Sequence, residues 1–424
     1  MSKKRQHQNS GGGAVASRKK STKATLKFED GPNQFRFRLV CSLLTLKPIS
    51  IRNIRRDDIE EPGLRDHEVA FLKLLDMITD GSSVEINNTG TSLRFKPGLL
   101  LGGDHVFDDC EGRSIGWFMV RILTKSGVII KDSPLANLLL MHFQEGILPL
   151  APFGKEPLSI HFKGITDGHS SKDLSVDYIQ AIQVPILQHF GVGVDGESLP
   201  PEAKVIKRGQ APLGGGEASL FCPIVKSLSS TDFTDPGKFK RARGTVIGCR
   251  ISPSSSARVA HAAKGVMHNL LPDVWIHTET HSGSKHRSGG CGPSPGLGVW
   301  MTLQSTTGVL ICSEVCKDVN KSRGTELPED LGQRCAYDLL KEAKKGGCVD
   351  THSQQLYFLL MSGAAPEDVS RIRTGTLSKI GIASLRLIKL VFGIEFKVIP
   401  CGDKTLTLSC LGAGYRNMAR ASAA

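Results

Sequence analysis

Apolar residues recur every three or four positions in several segments of the chain, a spacing typical of helices that bury one face. The first such helix is predicted from about residue 65 to residue 79, where the apolar side comprises Val69, Leu72, Leu75 and Ile78. Residues 83–86 and 92–96 instead alternate between apolar and polar side chains, as half-buried strands do. The pattern indicates a helix followed by a pair of strands near the start of the folded region.

A strand and a helix alternate again in the middle of the chain. Residues 159–164 follow the strand pattern, and residues 176–191 follow the spacing of a helix. Pro185 should kink that helix, because proline has no N–H group to donate, and Gly191 should end it. Repeated units of this kind predict an α/β fold for the main body of the protein.

A change of composition separates the two parts of this main body. Residues 222–254 are rich in Ser, Thr, Pro, Gly and basic residues, and a helix over 256–271 is predicted after them. Two strands should follow, at 274–280 and at 298–305. One helix between strands, flanked by loops, predicts a small α/β domain inserted at 237–318.

The main domain should then comprise residues 28–236 and 319–415. We expect it to resume at Pro328 with a helix whose ends complement the helix dipole, since Glu329 and Asp330 lie in its first turn and lysines lie in its last turn.

Charge is concentrated at the start of the chain. The net charge is +13, and residues 1–27 hold eight Lys or Arg and no Asp or Glu. Such a segment cannot bury enough apolar surface to order itself, so we predict a disordered tail. Its basic clusters at 3–5 and 18–20 are spaced like a bipartite nuclear import signal, and a solvated arm is the alternative. The chain has no apolar run long enough to span a membrane, and no membrane partner is expected.

The cysteines and histidines point to a reduced, intracellular protein without a metal. The eleven cysteines are odd in number and scattered, which disfavours a disulfide framework. Cys312 and Cys316 have no second pair at zinc-ligand spacing. His277, His281 and His286 lack nearby carboxylates at ligand spacing, so we expect them to line a polar loop. No cofactor is predicted.

One glycine-rich motif suggests an anion site. Three consecutive glycines, Gly214, Gly215 and Gly216, allow positive φ angles and let successive N–H groups point at an anion. Arg208, followed by Gly209, could add a bidentate contact to a phosphate. A flexible turn is the alternative interpretation.

The same motif resembles a known family. Arg208-Gly209, Pro212 and the three glycines fit the RG-x-x-P-x-GGG signature of the RNA 3′-terminal phosphate cyclases. The resemblance covers about residues 28–395. It extends to NIRR at 53–56 with EPGL at 61–64, GTSLRFKPGLLLGG at 90–103, HFKGITDG at 161–168 and FKRARGTVIGCRISPSSSARVAHAA at 239–263. It implies a large domain of repeated α/β units interrupted by one small domain.

Three departures from that family argue against its chemistry. Active cyclases use a histidine nucleophile that carries AMP, in a segment of the form V-x-x-H-x-x-x-Q, and the matching segment places Asp350 at this position. His352 lies two residues later, which on a helix is about 200° away. The family's glycine-rich GEGGGQ loop is replaced by GPNQ at 31–34, and the spacing between Arg55 and Pro62 is one residue longer. The resemblance therefore implies a chain without ATP-dependent cyclisation.

The departures are similar to those of the cyclase-like branch of the family. That resemblance implies a nucleolar protein of the small-subunit processome that acts in 18S rRNA maturation and 40S subunit biogenesis. It also implies pre-rRNA, small nucleolar RNP components and a large processome GTPase as partners. The candidate anion or RNA contacts are the glycine motif with Arg208, together with Arg55, Lys240, Arg241 and Arg243.

Two alternatives remain open from the sequence. The first is an active cyclase that uses a shifted His352. The second is an endonuclease that cuts pre-rRNA. The neighbouring carboxylates Asp104, Asp108 and Asp109 do not form a compact metal site, because adjacent residues of a strand cannot face the same way.

Overall fold

The computed structural model describes residues 25–110, 113–119, 146–168, 173–196, 198–282, 290–317 and 326–421. The first elements are β1 (Leu26–Phe28), α1 (Phe35–Thr45), β2 (Ile49–Ile51), α2 (Asp66–Met77), β3 (Thr79–Asp80), β4 (Ser83–Ile86), β5 (Leu93–Lys96), β6 (Leu99–Leu100), β7 (Gly103–Phe107) and α3 (Ile115–Met119). No helix in these ranges combines the length and apolar character that a membrane span requires.

The first sheet has the order β1-β2-β5-β4, with β1 parallel to β2. Leu26 pairs with Ile49 and Phe28 with Ile51, so the chain is already ordered at Leu26. The tail predicted to extend to residue 27 therefore ends earlier, because the alternation of Leu26, Lys27 and Phe28 suits a strand. Residues 1–24 lie outside the described ranges.

The second sheet forms the middle of the main body. The elements that follow α3 along the chain are β8 (Leu158–Gly164), α4 (Val176–Tyr178), α5 (Val184–His189), β9 (Glu202–Lys207), β10 (Gly216–Cys222) and β11 (Asp232–Phe233), of which β11 belongs to the third sheet. The strand order of the second sheet is β7-β8-β10-β9. A π-helical turn at Ile179–Gln183 joins α4 to α5. The helix predicted over 176–191 is thus present, and its irregularity precedes Pro185, which cannot donate a backbone hydrogen bond.

The small sheet and the helices beside it form a second hydrophobic core. Its elements are β12 (Phe239–Cys249), α6 (Pro253–His268), β13 (Asp273–His281), β14 (Gly296–Ser305), β15 (Leu310–Cys316) and α7 (Pro328–Lys345). The strand order is β13-β12-β14-β15, so β13 is an edge strand. Helix α6 begins before residue 256, because Ser252 caps it and Pro253 suits its first position.

Helix α7 packs against this second core rather than resuming the main body. Its buried residues Leu331, Cys335, Ala336 and Leu339 share one apolar cluster with α6 and the small sheet. The division at 318 and 319 stays a prediction, but this packing favours a boundary after Lys345. The charged ends predicted for α7 are present, and its apolar face decides which domain it joins.

The last part of the chain returns to the main core. Its elements are α8 (Gln354–Gly363), β16 (Val369–Thr374), α9 (Lys379–Phe392), β17 (Lys397–Pro400), β18 (Leu406–Leu411) and α10 (Met418–Ala421). The third sheet has the order β11-β16-β18-β17. Every residue of α8 is buried, and one continuous apolar core joins α8 to the first two sheets. The α/β fold class predicted from the sequence is confirmed.

Candidate functional site

Arg208 follows β9 and is buried, with 8% of its side chain exposed. Both guanidinium Nη atoms donate to Asp177, Nη1 also reaches Asp167 at 3.4 Å, and Nη2 reaches Glu279 at 3.3 Å. Burial alone would lower the pKa of Arg208, but Asp177 and the other carboxylates raise it above its usual value. The structure does not support the expected phosphate contact, because these carboxylates already occupy the guanidinium.

Packing accounts for the glycines of the motif. Gly214 and Gly215 have φ angles of +63° and +71°. A Cβ atom on Gly215 would lie 2.8 Å from Pro293 Cδ, and one on Gly209 would lie 2.3 Å from the nitrogen of Gly216. Glycine is needed here because two backbone segments meet closely.

Several N–H groups of this loop already have partners within the protein. Gly209 donates to Thr166 Oγ1 at 3.0 Å, Leu213 to Ser294 Oγ at 3.0 Å, and Gly214 to the carbonyl of Gln210 at 2.9 Å. The loop therefore joins the small sheet's domain to the main body. Of the three glycine N–H groups predicted to point at an anion, that of Gly214 already has a partner within the protein.

The position matched to the family's nucleophile is occupied by a buried carboxylate. Tyr178 donates to Asp350 Oδ2 at 2.7 Å, and the N–H of Ser353 donates to Oδ1 at 2.9 Å. Burial raises the pKa of Asp350, and its hydrogen bonds oppose that rise. Gln183 completes the network by donating to Ser353 Oγ at 2.9 Å. Asp350 thus stabilises the start of α8.

His352 lies close to Asp350 but is not placed as expected. Residues 351–353 form a turn before α8, so His352 is not rotated from Asp350 by the roughly 200° that a helix would impose. The imidazole ring lies 6.3 Å from the ring of Tyr178, in an edge-on arrangement. Its Nδ1 atom is buried and has no hydrogen-bond partner among the described residues. No neighbour therefore orients the ring through Nδ1 as a nucleophile would require.

Two consecutive residues of α4 connect these features. Asp177 holds Arg208, and Tyr178 holds Asp350. The structure thus connects the glycine motif and Asp350 through one short helix turn. Asp177 and Tyr178 were not among the predicted site residues, and their only signal in the sequence is polar side chains within an apolar helical segment.

A further, partly buried carboxylate contacts the N-terminus of the same helix. Glu314 of β15 accepts hydrogen bonds from Ser175, which caps α4, through both the hydroxyl and the N–H group. Burial raises the pKa of Glu314 to about 8. This contact could not be predicted from the sequence, because 139 residues separate its partners.

Arg55 has a structural role in the described fold. It donates to Glu68 at 2.6 Å and 2.7 Å and to the carbonyl of Gly63 at 2.8 Å, with 9% of its side chain exposed. Burial alone would raise the pKa of Glu68, but the hydrogen bonds from Arg55 hold it below its usual value. The structure does not support Arg55 as an RNA contact, because Glu68 occupies its guanidinium.

The GPNQ loop contacts the segment that carries Arg55. Gly31 donates to the carbonyl of Arg52 at 3.1 Å, and Asn53 donates to the carbonyl of Glu29 at 2.9 Å. Two of the three departures from the family therefore lie side by side.

The basic run around Lys240 lies on strand β12 rather than in a solvated loop. Arg241 donates to Gln304, and Arg243 forms a bidentate pair with Asp273 at 2.9 Å. The Arg243 side chain remains 38% exposed. Lys240 is exposed and forms no ion pair with the described residues. These three residues remain accessible to a ligand.

No group of three potential metal ligands occurs within the described ranges. Asp109 pairs instead with Lys73 at 2.6 Å. His277 and His281 lie on β13, and His286 lies outside the described residues.

Comparison with known proteins covers nearly the whole chain. The family model described as RNA 3′-terminal phosphate cyclase matches residues 27–398. A probable RNA 3′-terminal phosphate cyclase-like protein of Dictyostelium discoideum is 38% identical over 409 residues, which are 94% of this chain and 100% of that protein. The RNA 3′-terminal phosphate cyclase-like protein of Homo sapiens is 39% identical over 398 residues, 92% of this chain and 96% of the relative. The rRNA processing protein rcl1 of Schizosaccharomyces pombe is 34% identical over 404 residues, which are 93% of this chain and 98% of that protein.

Proposed function

The chain belongs to the RNA 3′-terminal phosphate cyclase family, and from this we propose that it is a non-cyclase rRNA-processing factor. We place it in 18S rRNA maturation and 40S subunit biogenesis, within the small-subunit processome of the nucleolus. Its partners would be pre-rRNA, small nucleolar RNP components and a large processome GTPase. The name of the Schizosaccharomyces pombe relative supports the rRNA-processing part of this proposal.

The observation that carries the proposal is the state of Asp350. A nucleophile that forms a covalent adenylate must present a free lone pair to the α-phosphate along a line with the leaving group. Asp350 is 3% exposed, and Tyr178 and Ser353 each donate to one of its oxygens. A carboxylate held in this way supports the fold rather than attacking ATP.

Basic surface supports the RNA-binding part of the proposal. Residues 237–318 contain ten Lys or Arg and four Asp or Glu, and the accessible residues Lys240, Arg241 and Arg243 belong to this set. Backbone phosphates are bound chiefly by such side chains, and the binding weakens as salt is added. By contrast, Arg55 and Arg208 are paired with carboxylates of the protein.

One observation favours an active cyclase as a second candidate. His352 has a ring nitrogen without a partner among the described residues, close to Asp350. Labelled ATP tests this directly: we expect no covalent adenylate on the wild-type chain. An adenylate that disappears in His352→Ala but persists in the matched variant His268→Ala would establish the cyclase instead.

Crosslinking of the full chain to RNA in cells tests the rRNA-processing role. We expect enrichment of pre-rRNA and its small nucleolar RNA. Enrichment of mRNA or tRNA in their place would overturn the assignment. Incubation with a pre-rRNA fragment tests the endonuclease alternative, which stays a prediction, and specific cleavage that depends on named side chains would establish it.

A further inference from the structure

Strand β13 presents the one exposed tryptophan of the protein. Its residues alternate, so that Val274 and Ile276 are buried against the helices at 7% and 4% exposure, while Trp275 points away from them and is 59% exposed. Of the other tryptophans, Trp117 is buried and Trp300 is half-buried. A large aromatic ring so exposed on a sheet indicates a binding surface, because it loses the stabilisation that burial would provide.

The neighbours of Trp275 are a second ring and basic side chains. His277 lies on the same face of β13, with its ring centroid 6.2 Å from that of Trp275. On the adjacent strand β12, Arg243 is the register partner of Trp275, and Arg241 is the partner of Asp273. Asp273 holds the Arg243 guanidinium with two hydrogen bonds of 2.9 Å, which fixes its position while leaving it 38% exposed.

We propose that this face, formed by Trp275, His277, Arg241 and Arg243, stacks unpaired bases of single-stranded RNA. Four-stranded sheets with exposed aromatic side chains are suited to this, because bases splay out and stack on the rings. The arginines on the adjacent strand complement the phosphate backbone in charge. Among the described residues no strand pairs with the outer edge of β13, and this edge would allow the RNA to continue beyond the face. The inference rests on the proposed RNA-binding function and names the surface responsible.

Tryptophan fluorescence of the full chain, titrated with an eight-nucleotide single-stranded oligouridylate, tests this surface. We expect RNA to quench the emission of wild-type protein, and Trp275→Ala to abolish that quenching. Filter binding should show a Kd raised about tenfold in Trp275→Ala, as loss of one stacked base predicts. Trp275→Phe should recover most of the affinity. Arg243→Gln should weaken binding at low salt and approach wild type at high salt.

Leu270 provides a matched control, since it is 57% exposed in the same domain but lies in the turn after α6. Leu270→Ala should bind as wild type does, and the melting temperature of each variant checks its fold. Equal binding by wild type and Trp275→Ala would overturn this inference while leaving the proposed function intact, whereas absence of RNA binding by every variant would overturn both. Equal quenching by an RNA duplex would also overturn this inference, because the bases of a duplex are not free to stack on Trp275. The inference would fail as well if Trp275→Ala lost a protein partner while its RNA affinity stayed unchanged.

Discussion

Tyr178 donates a hydrogen bond of 2.7 Å to Asp350 although 172 residues separate them, and both side chains are buried. The contact connects helix α4 to the turn before α8. It also holds the buried carboxylate of Asp350 within the hydrogen-bond network of the core. Asp350 is the residue that the sequence comparison predicts at the family's nucleophile position.

The first prediction concerns this contact. Tyr178→Phe should destabilise the protein by about 1–2 kcal/mol, because it leaves one oxygen of a buried carboxylate without its donor. Urea unfolding measures the change. Tyr337→Phe is the matched control, since Tyr337 is 52% exposed, and it should change stability by less than about 0.5 kcal/mol. Equal stabilities for Tyr178→Phe and wild type would show that the network contributes nothing.

The second prediction concerns Arg208. Arg208→Met should lower the free energy of unfolding by about 3–5 kcal/mol, because it leaves the largely buried carboxylates of Asp167 and Asp177 without a cation. Arg371→Met is the control: its pair with Asp232 is about half exposed, and its loss should cost less than about 1 kcal/mol. If Arg208 instead binds RNA phosphate, Arg208→Met would keep wild-type stability and lose RNA affinity.

The third prediction separates strain from close packing in the glycine motif. Gly215 and Gly196 have the same φ of +71°, but only Gly215 would place a Cβ against another group, Pro293. Gly196→Ala should therefore lower the free energy of unfolding by about 1 kcal/mol, through backbone strain alone. Gly215→Ala should lower it further, because the new Cβ atom would also press against Pro293. Denaturant unfolding of the two variants measures the difference. Equal costs would mean that the loop moves away from Pro293 freely.

The fourth prediction is a pH dependence from Glu314. Burial raises its pKa from 4.5 to about 8 in the folded protein, so folding favours the protonated form. The stability that this group contributes is fully present below about pH 4.5 and is lost as the pH rises towards 8. Glu314→Gln should therefore have the same free energy of unfolding as wild type at pH 5 and a higher one at pH 8. The difference between the two proteins should grow on the order of 1 kcal/mol per pH unit.

Unfolding measured at intervals from pH 5 to pH 8 checks the Glu314 prediction. Glu329→Gln serves as the control, because the Glu329 side chain is 37% exposed and hydrogen bonds from Arg258 lower its pKa. It should leave the profile over this range unchanged. Parallel profiles for wild type and Glu314→Gln would contradict the prediction.

Local structure was largely predictable from the sequence because its causes act within a few residues. The charged ends of α7, the apolar face of α2 and the alternation of β5 are present as expected. Strand β4 pairs with β5 as predicted, but it lacks a buried apolar face, because Ile86 is 43% exposed. The errors in these predictions are equally local. Helix α6 begins at Pro253, three residues before the predicted start, and Leu26 to Phe28 form a strand of the first sheet although they were predicted to belong mainly to the disordered tail.

The sequence by itself determined the α/β elements and the family, since each follows from spacing and residue type, and it predicts an aspartate at the position matched to the family's nucleophile. Only the tertiary structure decided what Arg208 contacts, because its partners Asp177 and Glu279 lie 31 and 71 residues away. It likewise decided that α7 packs on the small sheet and that Asp350 is buried beneath Tyr178. An arginine beside glycines can bind a phosphate or pair with carboxylates of the protein itself. Which of the two occurs depends on the charged groups that the fold places near it, and packing between distant segments determines those groups.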